Sequence, residues 1–175
     1  MSRTSEKGSV QTVSGTIAPG DLGVTLPHEH FLIDQTLGGV YFVEPVSPSE
    51  RALAHQPVCM ENLSWVRYHT KDNLDNQMLT DIDTAIQEAR LFKEQGGSSI
   101  VDMTNRGIGR DPLALDHISR ETGLHIIMGS GYYANSPLTH ETLDRLNEGE
   151  IAREIVAAFT EIGRASCRQR VCHRV

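Results

Sequence analysis

Cysteine is scarce in this 175-residue chain. The three thiols, Cys59, Cys167 and Cys172, are too few and too scattered to staple a disulfide scaffold. Positive charge is short as well: 16 Lys and Arg stand against 23 Asp and Glu, a net charge of −7. Overall electrostatics therefore gives nucleic-acid binding no support. No stretch approaches the ~20 apolar residues that cross a bilayer. The opening "MSRTSEKGSVQTVSG" lacks the apolar core of a secretory leader. These absences set the first expectations: a cytoplasmic protein, with no nucleic acid and no membrane among its partners. Also missing is a G-x-G-x-x-G fingerprint, since neither "NRGIGRD" nor "GSGYY" makes one, which weakens a dinucleotide-binding reading.

What is present suits an ordinary globular domain: 38% hydrophobic and 22% charged residues in a chain long enough to bury a core. From Gln11 to Asp34 the pattern reads strand, turn, strand, with the turn at "PGDLG". Residues 35–76, rich in Pro, Ser and Asn, read as one long irregular stretch. After Met78, Leu79, Ile82, Ala85, Ile86, Ala89 and Phe92 recur at helical spacing, with Thr80 or Asp81 as cap and Gly96-Gly97 as stop. A short buried strand follows over Ser99 to Thr104. The next helix has Asp111 as cap, Pro112 at its first position and Gly123 at its end. "LHIIMGSGYY" supplies another buried strand. The stretch from Ser136 to Gly163 is mostly helix, broken near Asn147 to Gly149. Strand–helix alternation of this kind predicts parallel strands with crossover helices, an α/β fold. Periodicity alone leaves two solutions open, a doubly wound sheet and a closed (β/α)8 barrel.

The stretch "GVTLPHEHFLID" carries the chemistry. Strand side chains alternate, so His28 and His30 point one way and Glu29 the other, with Val24 and Leu26 expected on the histidine face. Two neutral imidazoles at the C-terminal end of a parallel strand suit a borderline-soft divalent ion such as zinc. The competing reading makes them surface or hydrogen-bonded histidines. Glu29, pointing away, is expected in a structural hydrogen bond or salt bridge.

The same stretch resembles the first signature of the phosphotriesterase-like family of the amidohydrolase superfamily, at Gly23, Thr25, Leu26, His28, Glu29 and His30. Phe31 stands where an aliphatic residue is usual. "NLSWVRY", "VDMTNRGIGRDPLAL" and "LHIIMGSGYY" continue the likeness in order. The resemblance implies an incomplete (β/α)8 barrel: about the first three β/α units, preceded by an N-terminal β-hairpin. It further implies a metal-dependent hydrolase of ester, phosphoester, lactone or amide bonds. Its cofactor is a divalent metal, zinc in many relatives and two ions in full-length ones, acting on a small-molecule substrate. By position His28 and His30 are the first-strand ligands of the more buried ion. Tyr133 falls where relatives place an aromatic wall of the substrate pocket; an ordinary packing tyrosine is the alternative. Asp102 and Asp111 are expected to do structural work, and Arg110 to tie loops together. The other histidines, His55, His69, His117, His125 and His140, read as surface or packing residues.

In relatives the bridging carboxylate, a carboxylated lysine or a glutamate, and the proton-handling aspartate come from later strands. Residues 1–162 match the first part of such a barrel. Residues 163–175, "GRASCRQRVCHRV", hold four arginines and no acid. They resemble a translated sequencing adapter, so a non-native tail is expected; a basic partner-binding tail or a Cys-x4-Cys-His metal clip are the alternatives. Two functional readings follow: a zinc-dependent hydrolase in lineage, truncated and inactive in this form, or a non-catalytic half-barrel that associates with other chains through its open edge. The residues that act catalytically are not assigned at this level.

Overall fold

The computed structural model describes residues 8–37, 41–133 and 137–171. Val10–Thr12 (β1) and Gly15–Ile17 (β2) form an antiparallel hairpin, with Val10 opposite Ile17 and Thr12 opposite Gly15. Its reversal lies at Val13 and Ser14, inside the run expected as one strand, while the turn expected at "PGDLG" is present as a turn of 3-10 helix over Pro19–Asp21. The hairpin is anchored from outside. The Val13 N–H donates to the Ile126 carbonyl at 2.9 Å, and the Ser14 hydroxyl donates to the buried Asp116 carboxylate at 2.8 Å.

Val24–Glu29 (β3) opens the main sheet. Ile33–Asp34 (β4) pairs antiparallel with Met78–Leu79 (β5), and the chain between them is more ordered than its composition suggests. Pro48–Ala54 (α1) and Leu63–Tyr68 (α2) are helical, correcting the expectation of a single irregular stretch. Two buried amides hold this region. Asn73 donates to the carbonyls of Leu53 and Gln56, both at 2.9 Å, and accepts from the Asn76 N–H. Asn62 accepts from the Cys59 N–H and donates to Pro57. Backbone groups that regular structure would satisfy are here met by side chains, and composition cannot foretell that.

Next come Ile82–Glu94 (α3), Gly97–Asp102 (β6), Pro112–Thr122 (α4), His125–Met128 (β7), Pro137–Leu143 (α5) and Glu148–Val171 (α6). Local chemistry sets their ends. The Asp81 carboxylate accepts the Thr84 N–H at 2.7 Å, and Asp111 accepts from Leu113 and Ala114, both at 3.0 Å. Gly123, at φ +67°, closes α4 in the left-handed conformation that glycine adopts at least cost. The break expected near Asn147 is the gap between α5 and α6. Of the expected tail, residues 163–171 continue α6, while 172–175 lie outside the described residues.

The main sheet is parallel, in the order β3-β6-β7. Each strand is laid beside the one before, as a barrel requires and as a flavodoxin-like sheet, with its first strand between two others, does not. Leu26, Ile100, Ile126 and Met128 pack on one face against Ala85, Ile86 and Ala89 of α3 and Ala114, Leu115 and Ile118 of α4. Fully burying a Leu or Ile side chain removes about 1.5–3 kcal/mol of apolar exposure, so this layer holds the helices to the sheet. The opposite face carries Val101 and Ile127, in register with each other and half-buried. No helix among the described residues is long and apolar enough to cross a membrane.

Candidate metal centre

The pairing of β3 with β6 decides where the histidines go. Leu26 is opposite Ile100, but Glu29 is opposite Asp102. β3 therefore spends three residues where β6 spends two, which is a bulge. A one-residue slip inverts the alternation beyond it. Leu26 stays with Ile100 on the helix-covered face, whereas His28 and His30 share the face of Val101 and Ile127. This corrects the expectation that Leu26 and the histidines share a face. Pro27, which has no N–H to give the ladder, sits at the irregularity.

The two rings lie together, their centroids 5.6 Å apart and their planes at 69°. His28 is exposed and His30 half-buried. The 5.6 Å separation is short enough for one ion, at roughly 2.1 Å from a nitrogen of each ring, to reach both. As a donor set, two imidazoles fit a zinc-like ion in kind, although not in number. Among the described residues, no group of three or more His, Cys, Asp or Glu side chains is placed to hold a metal. His30 also borders a cleft of about 300 Å³ with Phe31, Met78, Leu79 and the start of α3.

Around the pair the backbone is fixed by Asp102, which is fully buried. Its carboxylate accepts the Phe31 N–H at 2.8 Å and the Thr104 N–H at 2.9 Å, tying the exit of β3 to the exit of β6. The Met103 N–H donates to the Glu29 carbonyl at 2.9 Å. Glu29's own carboxylate is on an exposed side chain of opposite parity to the pair. Thr104 was not among the sequence candidates. Its hydroxyl lies 2.8 Å from His30 Nδ1, across 74 residues of chain, and no local pattern reports such a contact.

Tyr133 is brought against Tyr41, with ring centroids 5.8 Å apart and the two hydroxyl oxygens 3.4 Å apart. That contact and burial raise the Tyr133 phenol above its usual range. The neighbouring Tyr132 donates to Glu154 at 2.6 Å, and this bond, with burial, raises its phenol likewise. Arg110 reaches the Gly129 carbonyl at 3.5 Å, a loop-to-loop tie. Of the other histidines, His55 meets Glu44, His69 stacks on Trp65 at 4.6 Å, His125 is half-buried on β7, and His117 and His140 are exposed.

Comparison with known proteins adds the lineage. The model of the phosphotriesterase family matches residues 8–162. The N-acetyltaurine hydrolase of Bos taurus is 39% identical over 140 residues, which are 79% of this chain and 39% of that protein. Its counterpart in Dictyostelium discoideum is 33% identical over 173 residues, 87% of this chain and 46% of that protein. Among solved structures, a resiniferatoxin-binding protein from Rhodobacter sphaeroides superposes with a TM-score of 0.77 at 44% identity. That match covers 87% of this chain and 41% of the other. The organophosphorus hydrolase from Deinococcus radiodurans gives 0.54 at 25% identity, over 87% of this chain and 38% of its own. The chain thus spans less than half the length of each of these relatives.

Proposed function

The chain belongs to the phosphotriesterase family, its strands and helices forming part of a (β/α)8 barrel, and from that premise we propose that His28 and His30 are metal ligands of a hydrolytic centre. The observation that carries the proposal is the meeting of the two rings at 5.6 Å at the C-terminal end of the first parallel strand, the end at which barrel enzymes hold their sites. Imidazole donors suit zinc among other transition ions, and zinc is the ion of this proposal. When bound, such an ion polarises the bond to be cleaved and makes bound water a nucleophile near neutral pH. The chain's own residues do the holding. Asp102 fixes both strand exits, Thr104 holds the His30 ring, and the bulge sets both histidines on the side of the strand opposite Leu26.

For the substrate, we favour an amide of a small acylated acid over a phosphoester, because N-acetyltaurine hydrolases of Bos taurus and Homo sapiens are 39% and 38% identical to this chain. The Tyr41–Tyr133 pair is the proposed aromatic wall of the pocket. Catalytic zinc takes three protein ligands and structural zinc four. On this reading the His28 and His30 imidazoles by themselves hold zinc loosely and do not complete a hydrolytic centre. The outer edge of β3, where Val24 is 63% exposed, is the proposed site of association between copies.

Competition for zinc with a chromophoric chelator tests the ligand assignment. His28→Ala and His30→Ala should each weaken zinc binding at least about tenfold, while His117→Ala leaves it unchanged. Equal affinities in all four proteins would defeat the proposal.

A further inference from the structure

We propose that Thr104 is a positioning residue that fixes the tautomer of His30, holding a proton on Nδ1 and leaving Nε2 bare for a ligand. The inference rests on the metal-ligand reading for its purpose, but its evidence is a chain of hydrogen bonds. Thr104 is 1% exposed and two residues past the end of β6. Its backbone N–H is committed to Asp102 at 2.9 Å. Its hydroxyl lies 3.1 Å from the Leu32 carbonyl oxygen and 2.8 Å from His30 Nδ1.

A hydroxyl has one proton to give, and a carbonyl oxygen only accepts. Directed at Leu32, that proton leaves the Thr104 oxygen to face His30 with a lone pair. Nδ1 must then be the donor, and in the neutral ring Nε2 is the nitrogen without a proton. The reverse arrangement gives the hydroxyl proton to Nδ1, protonates Nε2 and takes the donor away from the Leu32 carbonyl. Leu32 itself is buried, where a carbonyl stripped of its partner is costly. A metal-binding histidine commonly has its second nitrogen hydrogen-bonded in this way, which sets the tautomer and the ring orientation. Leu32, Thr104 and His30 thus form a short relay that prepares one imidazole before any ion arrives.

The test uses the whole 175-residue chain, labelled with 15N-histidine, free of metal and in alkaline buffer where imidazoles are neutral. Long-range 1H–15N correlation distinguishes protonated from bare ring nitrogens. His30 should show a protonated Nδ1 and a bare Nε2. Thr104→Val, which keeps the shape and removes the hydroxyl, should release His30 to the mixed tautomers of the exposed His117 and His140. Thr104→Ser should restore the wild-type pattern. Zinc affinity should fall about tenfold or more in Thr104→Val and recover in Thr104→Ser. A wild-type His30 with its proton on Nε2, or a Thr104→Val variant with an unchanged tautomer, overturns the inference. Because the tautomer is read without metal, a wild-type chain with the expected tautomer and no affinity for zinc would count against the ligand assignment and not against the relay.

Discussion

Replacing Asp102 with asparagine should cost this fold more than any surface change, and the amount follows from two bonds. In the wild type one carboxylate oxygen takes the Phe31 N–H at 2.8 Å and the other takes the Thr104 N–H at 2.9 Å, with the side chain fully buried. Hydrogen bonds to a charged group are worth about 1.5–3 kcal/mol each. Asparagine is the same shape but has one carbonyl oxygen, so it keeps one bond in neutral form and turns an NH2 against the other N–H. The expected loss is about 2–4 kcal/mol, from one bond forfeited and one weakened. With a urea dependence of roughly 2 kcal/mol per molar, the unfolding midpoint should drop by about 1–2 M. Amide exchange at Phe31 and Thr104 should quicken together, since both lose the same anchor. His30 sits between these tethers, one residue before Phe31 and in contact with Thr104, so its ring should also lose its fixed tautomer. An unmoved midpoint with unchanged exchange at both amides would refute the claim that Asp102 locks the two strand exits.

Two further outcomes check other parts of the structure. Asp111→Ala removes a side chain that accepts from two first-turn N–H groups of α4, and should lower stability by about 1 kcal/mol in urea unfolding. Tyr132 should ionise above the ordinary tyrosine value of 10.0 because its hydroxyl donates to Glu154. A phenol whose folded pKa is raised adds stability that is complete below that ordinary value and is lost as pH rises through the folded one. Alkaline ultraviolet titration should therefore show late ionisation of Tyr132 and Tyr133, and in Glu154→Gln the Tyr132 component should move earlier while the Tyr133 component stays.

Much of this architecture is written locally. Asp81, Asp111, Pro112 and Gly123 mark helix ends through bonds to their own neighbours, which is why caps can be read without a fold. The apolar runs of β6 and β7 are legible for a similar reason: strands covered by helices need little polar alternation. Other features depend on contacts across the chain. The two helices within residues 35–76 owe their order to Asn62 and Asn73, whose amides serve backbone groups up to 20 residues away. The hairpin reverses at Val13 and Ser14 because Ile126 and Asp116 hold it there, and Pro19-Gly20-Asp21, a good turn by composition, is used for a 3-10 turn. The histidine pair is legible as a pair, whereas the irregularity that separates it from Leu26 is not read from alternation alone. Pro27 was the available signal, since a proline inside a strand points to an edge or a bulge, and a bulge reverses the alternation. Thr104 could not be found, because nothing near residue 104 in the sequence refers to residue 30.

The most direct test of the central claim is an anomalous difference map from crystals of the 175-residue chain soaked in zinc. The account predicts a peak between the two rings, about 2.1 Å from Nε2 of His30 and from one nitrogen of His28. A map with the strongest zinc peak on other residues, or with both imidazoles turned away from any ion, would contradict it.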